Sequence, residues 1–196
     1  MARKKSTKKA AQAFNEAADA IAEFLTVMKK EQKDEYVSWI YDYGIISLYR
    51  EFETLMLQAI VSAINNDTET LSTTTGTKFP KHLTDEVCEY LIIGGGYFDF
   101  KGRDGLIREL KRYIPELHYL VIAVKKVKYK DALEKLSALR NLAAHGSRAS
   151  KKAALASVGQ QRIGSAGSWL KSQGRFDTIK NALKELASQI ESQAPY

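Results

Sequence analysis

The stretch YVSWIYDYGIISLYREFETLMLQAIVSAIN, residues 36–65, contains no proline and a single glycine, Gly44. Its apolar residues recur at the three-to-four spacing of a helix with a buried face. The first half of the stretch is aromatic and the second half is aliphatic. The pattern predicts one long helix from about Asp34 to Asn65 at the centre of the core, which Gly44 could kink or divide.

Segments on both sides of this stretch have the same helical periodicity. On the N-terminal side, apolar residues predict an amphipathic helix over residues 10–31. On the C-terminal side, helices are predicted from about residue 84 and over residues 105–114, 117–127, 128–146, 151–158 and 176–192. The β-branched residues of 117–127 could also form a strand, but no partner strand is evident elsewhere. The chain is therefore predicted to be all-α, a helical bundle in a single domain.

Two segments between these helices are predicted to be loops. The Thr-rich segment 65–80 has no periodicity, and the segment 92–105 contains three consecutive glycines, which oppose both helix and strand. Asp104 is predicted to cap the following helix, and Pro115 to end it. Residues 1–10 are predicted to be a disordered, flexible basic arm because they have little to bury, so that the helical domain spans residues 11–196.

The positive charge of the chain is concentrated in two places. The net charge is +7, and five basic residues without an acidic one lie among the first nine positions. Between Lys125 and Lys152, nine basic residues face two acidic ones, so the remainder of the chain is net negative. Such clusters attract phosphate polyanions, although a solvated lysine-rich surface is an equally good interpretation from charge alone.

The sequence favours a cytoplasmic protein. Its most apolar stretch, residues 55–64, is too short to span a membrane, and acidic residues interrupt the segment that a signal peptide would need to be apolar. The single cysteine, Cys88, excludes an internal disulfide and fits a reducing compartment.

One of only three histidines lies in the segment LSALRNLAAHGS, residues 136–147, five positions after Arg140. A histidine can exchange a proton near neutral pH, and a guanidinium can stabilise a phosphorane, so the pair suits phosphodiester chemistry without a metal. On an ideal helix, the side chains of Arg140 and His145 point about 140° apart. They can meet if the last turn unwinds before Gly146, or if a second copy supplies one of them. A helix end with a capping histidine is the simpler alternative.

This segment resembles the defining motif of the HEPN superfamily, in which four to six residues separate an Arg from a His and the residue directly after the Arg is polar. LYREFETLM (48–56) is similar to an early helix of that family with a Phe-Glu pair. GGGYFDFKGRDGLIRELKRYIP (94–115) and GSAGSWLKS (164–172) resemble segments of its RiboL-PSP-type branch. The similarity extends from about residue 34 to the end, with the motif region at 128–152.

The resemblance implies a HEPN-like helical bundle that dimerises along the motif helices and pools two Arg and two His in one cleft. It implies a metal-independent endoribonuclease that needs no cofactor and leaves a 2′,3′-cyclic phosphate. Many relatives are toxins or act in defence against phage, so an antitoxin or regulatory protein is a further expected partner besides RNA.

Carried over residue by residue, the resemblance makes Arg140 and His145 catalytic and Asn141 a supporting polar group. Glu53, with Glu51 as the alternative, matches a helix-borne acid that orients the arginine. Four basic residues near the motif are expected to hold the RNA backbone: Lys125, Lys126, Lys128 and Arg148. A non-catalytic HEPN module that binds nucleic acid or only dimerises is the alternative function, and a toxin silent until activated is a third.

Other candidates are better explained by structure than by function. His82 and Cys88 are six residues apart, but no second pair completes a metal site. His118 lies in an apolar run and is predicted to be partly buried. The glycines at 94–96 fit a plain loop, and the Tyr and Trp residues of the 36–65 helix fit the core better than base stacking.

Overall fold

The computed structural model describes residues 5–195. Within this range the regular structure consists of α-helices and one 3₁₀ turn, and there are no strands. The helices are α1 (Thr7–Met28), α2 (Asp34–Asn66), α3 (Glu69–Thr75), α4 (Asp85–Ile93), α5 (Gly102–Tyr113), α6 (Tyr119–Lys125), α7 (Lys130–His145), α8 (Arg148–Val158), α9 (Ala166–Leu170) and α10 (Arg175–Gln193). The all-α prediction is confirmed, including the helix rather than strand within 117–127. None of the helices in the described range is long and apolar enough to cross a membrane.

The long helix α2 runs through the centre of the bundle. It packs against α1 along one side and against α7 and α9 along others, and its aliphatic second half is buried as predicted. Gly44 does not divide the helix. A Cβ at Gly44 would lie 3.0 Å from the δ-carbons of Leu25, so the glycine lets α1 approach closely.

The aromatic first half of α2 is less buried than predicted. Tyr36, Trp39 and Tyr43 are 40%, 57% and 55% exposed and line an open groove with Phe24 and Met28 of α1. The three-to-four spacing correctly placed the rings on one helix face. It could not show that α9 and α10 pack on the opposite face, so the assignment of these three rings to the core was wrong. Tyr41 and Tyr49 of the same helix are buried, as predicted.

Residues 7–10 of the predicted basic arm belong to a helix. The α1 helix begins at Thr7, and the side chain of Ser6 accepts a hydrogen bond from the amide of Lys9. Thr7 and Ala10 are buried, and the amide of Lys5 donates to Asp85 of α4 at 2.6 Å. Burial of these small residues is what orders the segment, and the predicted boundary was wrong. The first four residues of the predicted arm lie outside the described residues.

Two predicted loop features also differ from the structure. Within the segment 65–80, α3 forms because Asp67 accepts from the amide of Glu69 and Leu71 is buried. The start of α5 is at Gly102, and Asp104 is an exposed residue of its first turn rather than its cap. The capping acceptor is Glu134 of α7, whose Oε1 accepts from the amide of Arg103 at 3.0 Å.

A glycine of α9 allows this short helix to cross α2 at contact distance. The amide of Gly167 donates to Asp42 Oδ1 at 2.6 Å, and a Cβ at Gly167 would lie 1.8 Å from the carbonyl oxygen of Ser38. We therefore expect Gly167→Ala to lower the free energy of unfolding by about 1–3 kcal/mol or more, because the backbones must separate. Gly105→Ala in α5 is the matched control, since its Cβ meets only ordinary contacts from 3.4 Å. Urea unfolding of both variants measures the difference, and equal stability would contradict the close crossing.

Candidate active site

The guanidinium of Arg140 is held in a fixed place on the surface of α7. It lies over the ring of Tyr49 of α2, with Cζ 4.4 Å from the ring centroid. Its NH1 group donates to Oδ1 of Asn141 at 2.7 Å. A cation stacked on an aromatic face is attracted by the ring quadrupole, and the planar fork of the guanidinium keeps further donors available. Arg140 is half-buried, so those donors remain accessible to a ligand.

The ring beneath the guanidinium is itself fixed by the loop before α5. The hydroxyl of Tyr49 donates to Asp99 Oδ1 at 2.6 Å and also lies 3.1 Å from the carbonyl oxygen of Phe100. Burial, together with the bond to Asp99, raises the pKa of Tyr49, so the phenol stays protonated. The loop is anchored because Phe98 and Phe100 are buried on either side of the exposed Asp99.

Glu53 completes a charged cluster around Arg140. It lies one helical turn after Tyr49 on α2, and burial raises its pKa to about 7. The positive charge of Arg140 opposes that rise, whereas the carboxylate of Asp99 adds to it. Glu51 instead binds the exposed Arg50, 2.9 Å away, so Glu53 is the acid beside Arg140. The structure thus brings together Arg140, Asn141 and Glu53, three residues that the resemblance assigns to one site.

The raised pKa of Glu53 predicts a pH-dependent stability. Between about pH 4.5 and pH 7 the folded protein keeps a proton at Glu53 that the unfolded chain releases, so the free energy of unfolding falls as pH rises through this window. The side chain of Glu53→Gln stays neutral at every pH, so the free energy of unfolding of this variant should depend less on pH in this window. Urea unfolding at pH 5 and pH 8 measures it, with Glu51→Gln as the control for loss of one negative charge on α2. If wild type and Glu53→Gln lose the same free energy of unfolding between pH 5 and pH 8, Glu53 is not the cause of the pH dependence.

His145 does not meet Arg140 within one chain. It is exposed and is the last residue of α7, which stays helical to this point. Gly146 follows with φ +57° and donates its amide to the carbonyl of Leu142 at 3.0 Å, as predicted for a left-handed stop. The last turn is therefore not unwound, and the two side chains stay about 140° apart around the helix axis.

His145 shares its face of α7 with the lining of a cleft. Residues at spacings of four, three and four lie on one helix face. That face contains Glu134, Ala138, Asn141 and His145. The cleft, of about 550 Å³, lies between this face, α8 and the start of α5. Asn141 is therefore the link between the two sides of α7, because it lines the cleft and binds Arg140.

The residues predicted to bind RNA lie at opposite ends of α7. Lys125 and Lys126 precede the helix, as does Lys128, whereas Arg148 is exposed at the start of α8, three residues after His145. The helix has 16 residues and is about 24 Å long. Lys125 also pairs with Glu116, and Lys128 binds Glu185 at 2.6 Å. Of the four, the structure places only Arg148 beside His145.

The remaining candidates have structural partners. The Nδ1 atom of His82 lies 3.0 Å from the carbonyl oxygen of Asn65, and Cys88 is fully buried. His118 is half-buried, as predicted, and accepts from the amide of Leu120 at 3.3 Å; burial lowers its pKa. Residues 5–195 contain no group of three or more His, Cys, Asp or Glu placed to hold a metal ion.

Two residues of the site were missed by sequence reasoning, Tyr49 and Asp99. Tyr49 stands four positions before Glu53 in LYREFE, which places both on one helix face. Asp99 stands between two buried phenylalanines in a segment outside the helices, and Asp99 itself is exposed. These local signals were present, but the contact with Arg140 depends on tertiary packing.

Comparison of the chain with family models, with curated proteins and with solved structures finds no match in any of the three. The HEPN resemblance therefore rests on the motif residues themselves. What those residues can do is decided by their geometry and chemistry.

Proposed function

We propose that the protein is a metal-independent endoribonuclease of the HEPN type. The observation that carries the proposal is the held guanidinium of Arg140, which is stacked 4.4 Å from the ring of Tyr49 and bonded to Asn141 on the helix that ends at His145. Preorganised donors of this kind stabilise charge that develops on a phosphate, because they need no reorganisation during the reaction.

The reaction uses the RNA's own 2′-hydroxyl as nucleophile. That oxygen attacks the adjacent phosphorus, the bond from phosphorus to the 5′-oxygen breaks, and the products carry a 2′,3′-cyclic phosphate and a 5′-hydroxyl. His145 accepts the proton of the 2′-hydroxyl and returns it to the departing 5′-oxygen, and Arg140 binds the non-bridging oxygens of the phosphorane. No metal-bound water is required. Glu53 and Tyr49 are positioning residues that act through Arg140.

The site is proposed to be composite. Because His145 and Arg140 diverge on one continuous helix, a productive pair requires His145 of one chain and Arg140 of a second copy. A two-fold axis beside α7 supplies that pair twice, as an isologous interface does. The protein is thus proposed to act as a homodimer along its α7 helices.

The basic surface supports RNA as the substrate. Arg148, Lys151 and Lys152 are exposed on the first turns of α8, next to His145, where they can neutralise phosphates. Three more basic residues lie at the other end of α7: Lys125, Lys126 and Lys128. An RNA strand bound at His145 must be several nucleotides long to contact them as well. Following the resemblance, we propose a cytoplasmic toxin or phage-defence enzyme, restrained by an antitoxin or regulatory protein until RNA cleavage is needed to halt growth.

The test is incubation of the purified protein with total RNA and transfer RNA in EDTA, followed by analysis of the fragment ends. We expect fragments with cyclic-phosphate and 5′-hydroxyl ends. Intact RNA, together with binding that weakens steeply with salt, would favour a non-catalytic HEPN module that binds nucleic acid.

A further inference from the structure

An open cleft between α7 and α8 is lined by small and polar side chains. Its volume of about 550 Å³ is within the range of small-molecule sites. Ala138 of α7 faces Ala153 and Ala156 of α8 across it, and such small side chains leave room for a flat ring between the helices. The polar groups of the lining include Glu134, Asn141 and Lys101.

The hydrogen-bonding capacity of these groups can be assigned from their existing partners. Asn141 uses Oδ1 to accept from Arg140, which leaves its Nδ2 group to donate into the cleft. Glu134 uses Oε1 to accept from the amide of Arg103, which leaves Oε2 as an acceptor. Lys101 is an exposed residue of the cleft lining, and its ammonium group is a donor. The cleft therefore offers the carboxylate of Glu134, with Oε2 and the second lone pair of Oε1 available to accept, and donors from Asn141 and Lys101.

The position of the cleft ties it to the proposed reaction centre. Glu134, Asn141 and His145 lie on one face of α7, and the rise from Asn141 to His145 is about 6 Å. That distance is comparable to the separation of a nucleobase from the phosphate of its own nucleotide. A base in the cleft would thus place its ribose and phosphate beside His145.

We propose that this cleft binds the nucleobase next to the cleaved phosphate and that the base is guanine; the inference rests on the proposed ribonuclease function. Guanine presents two adjacent donors, N1–H and N2–H, to the carboxylate of Glu134. Its O6 and N7 atoms accept from the side-chain amide of Asn141 and from Lys101, as in the readout of unpaired bases on their edges. Adenine places the acceptor N1 next to its amino group, and uracil offers a single N–H between two carbonyls. Neither matches a carboxylate as well.

The experiment compares a cleft-filling variant with a matched exposed one. Ala156→Leu replaces a methyl group on the cleft wall with an isobutyl group, whereas Ala20→Leu makes the same change on the exposed surface of α1, outside the cleft lining. Both are measured for binding of 3′-GMP and 3′-AMP by calorimetry, and for cleavage of RNA oligonucleotides that differ at one base. Ala153→Leu fills the cleft at a second position, and circular dichroism checks the fold of all three.

We expect wild type and Ala20→Leu to bind 3′-GMP at least about tenfold more tightly than 3′-AMP and to cleave beside guanine preferentially. Ala156→Leu and Ala153→Leu should lose both preferences, since a filled cleft removes the contacts that distinguish the bases. Equal binding of the two nucleotides by wild type, or unchanged guanine preference in both filled variants, would overturn the proposal. Cleavage without base preference would refute the cleft but not the ribonuclease. Loss of 3′-GMP binding in the filled variants, with no cleavage by wild type, would retain the cleft and refute the ribonuclease.

Discussion

Replacement of His145 by alanine is expected to lower the rate of RNA cleavage by about 10²–10⁴, the contribution of a positioned general acid or base. The imidazole is exposed at the end of α7, so its removal should change the free energy of unfolding by no more than about 0.5 kcal/mol. Initial cleavage rates in EDTA and thermal unfolding of the same samples measure the two effects.

His82→Gln is the control for loss of a histidine. Its ring contacts the carbonyl of Asn65, far along the chain from the motif, and its replacement should leave the cleavage rate unchanged. Cleavage by His145→Ala at the wild-type rate would show that the motif histidine is not the proton carrier. Loss of activity in His82→Gln with the fold intact would place the chemistry elsewhere.

Replacement of Arg140 by alanine is expected to reduce cleavage by at least about 10²–10³, because it removes the group that stabilises charge on the phosphorane. Arg140→Lys keeps the charge but loses the planar fork, the stacking on Tyr49 and the geometry of the bond to Asn141. We expect Arg140→Lys to recover only a small part of the lost rate. Initial rates with saturating RNA measure the loss in the chemical step.

The Arg140 variants also report on the charged cluster. The guanidinium lowers the pKa of Glu53 against the effect of burial, so Arg140→Ala should raise the pKa of Glu53 further. Side-chain carboxyl titration by nuclear magnetic resonance detects the change. Full activity in Arg140→Lys, or an unchanged Glu53 titration in Arg140→Ala, would contradict the arrangement derived for Arg140.

Local signals in the sequence predicted the parts of the fold that depend on near neighbours. The helix α7 and its left-handed end at Gly146 follow from an apolar stripe and a glycine at the right place. The cap of α5 could not be predicted in this way, because its acceptor, Glu134, is 31 residues away from Arg103. The exposed face of α2 was missed for a related reason, since spacing defines a face without saying what covers it.

The candidate site likewise combines residues that the motif and the resemblance indicate with contacts that only tertiary packing creates. The motif placed Asn141 directly after Arg140, and the resemblance nominated an acid on the early helix, which the structure puts beside the guanidinium. Tyr49 and Asp99 come from segments 50 residues apart, and only packing brings the phenol to the carboxylate. Whether α7 unwinds before Gly146 was also undecided by sequence. Its continuity is the reason why the proposed site takes its arginine and its histidine from two copies of the chain.

Subunit complementation tests the composite site most directly. Arg140→Ala and His145→Ala are each purified, mixed under conditions that exchange subunits, and assayed for RNA cleavage in EDTA. Half of the dimers formed at random are mixed, and each has one intact Arg140–His145 pair, so about a quarter of the wild-type activity should return. A mixture as inactive as its two parents, with subunit exchange confirmed by mass spectrometry, would contradict the proposal that Arg140 and His145 form one ribonuclease site across a dimer.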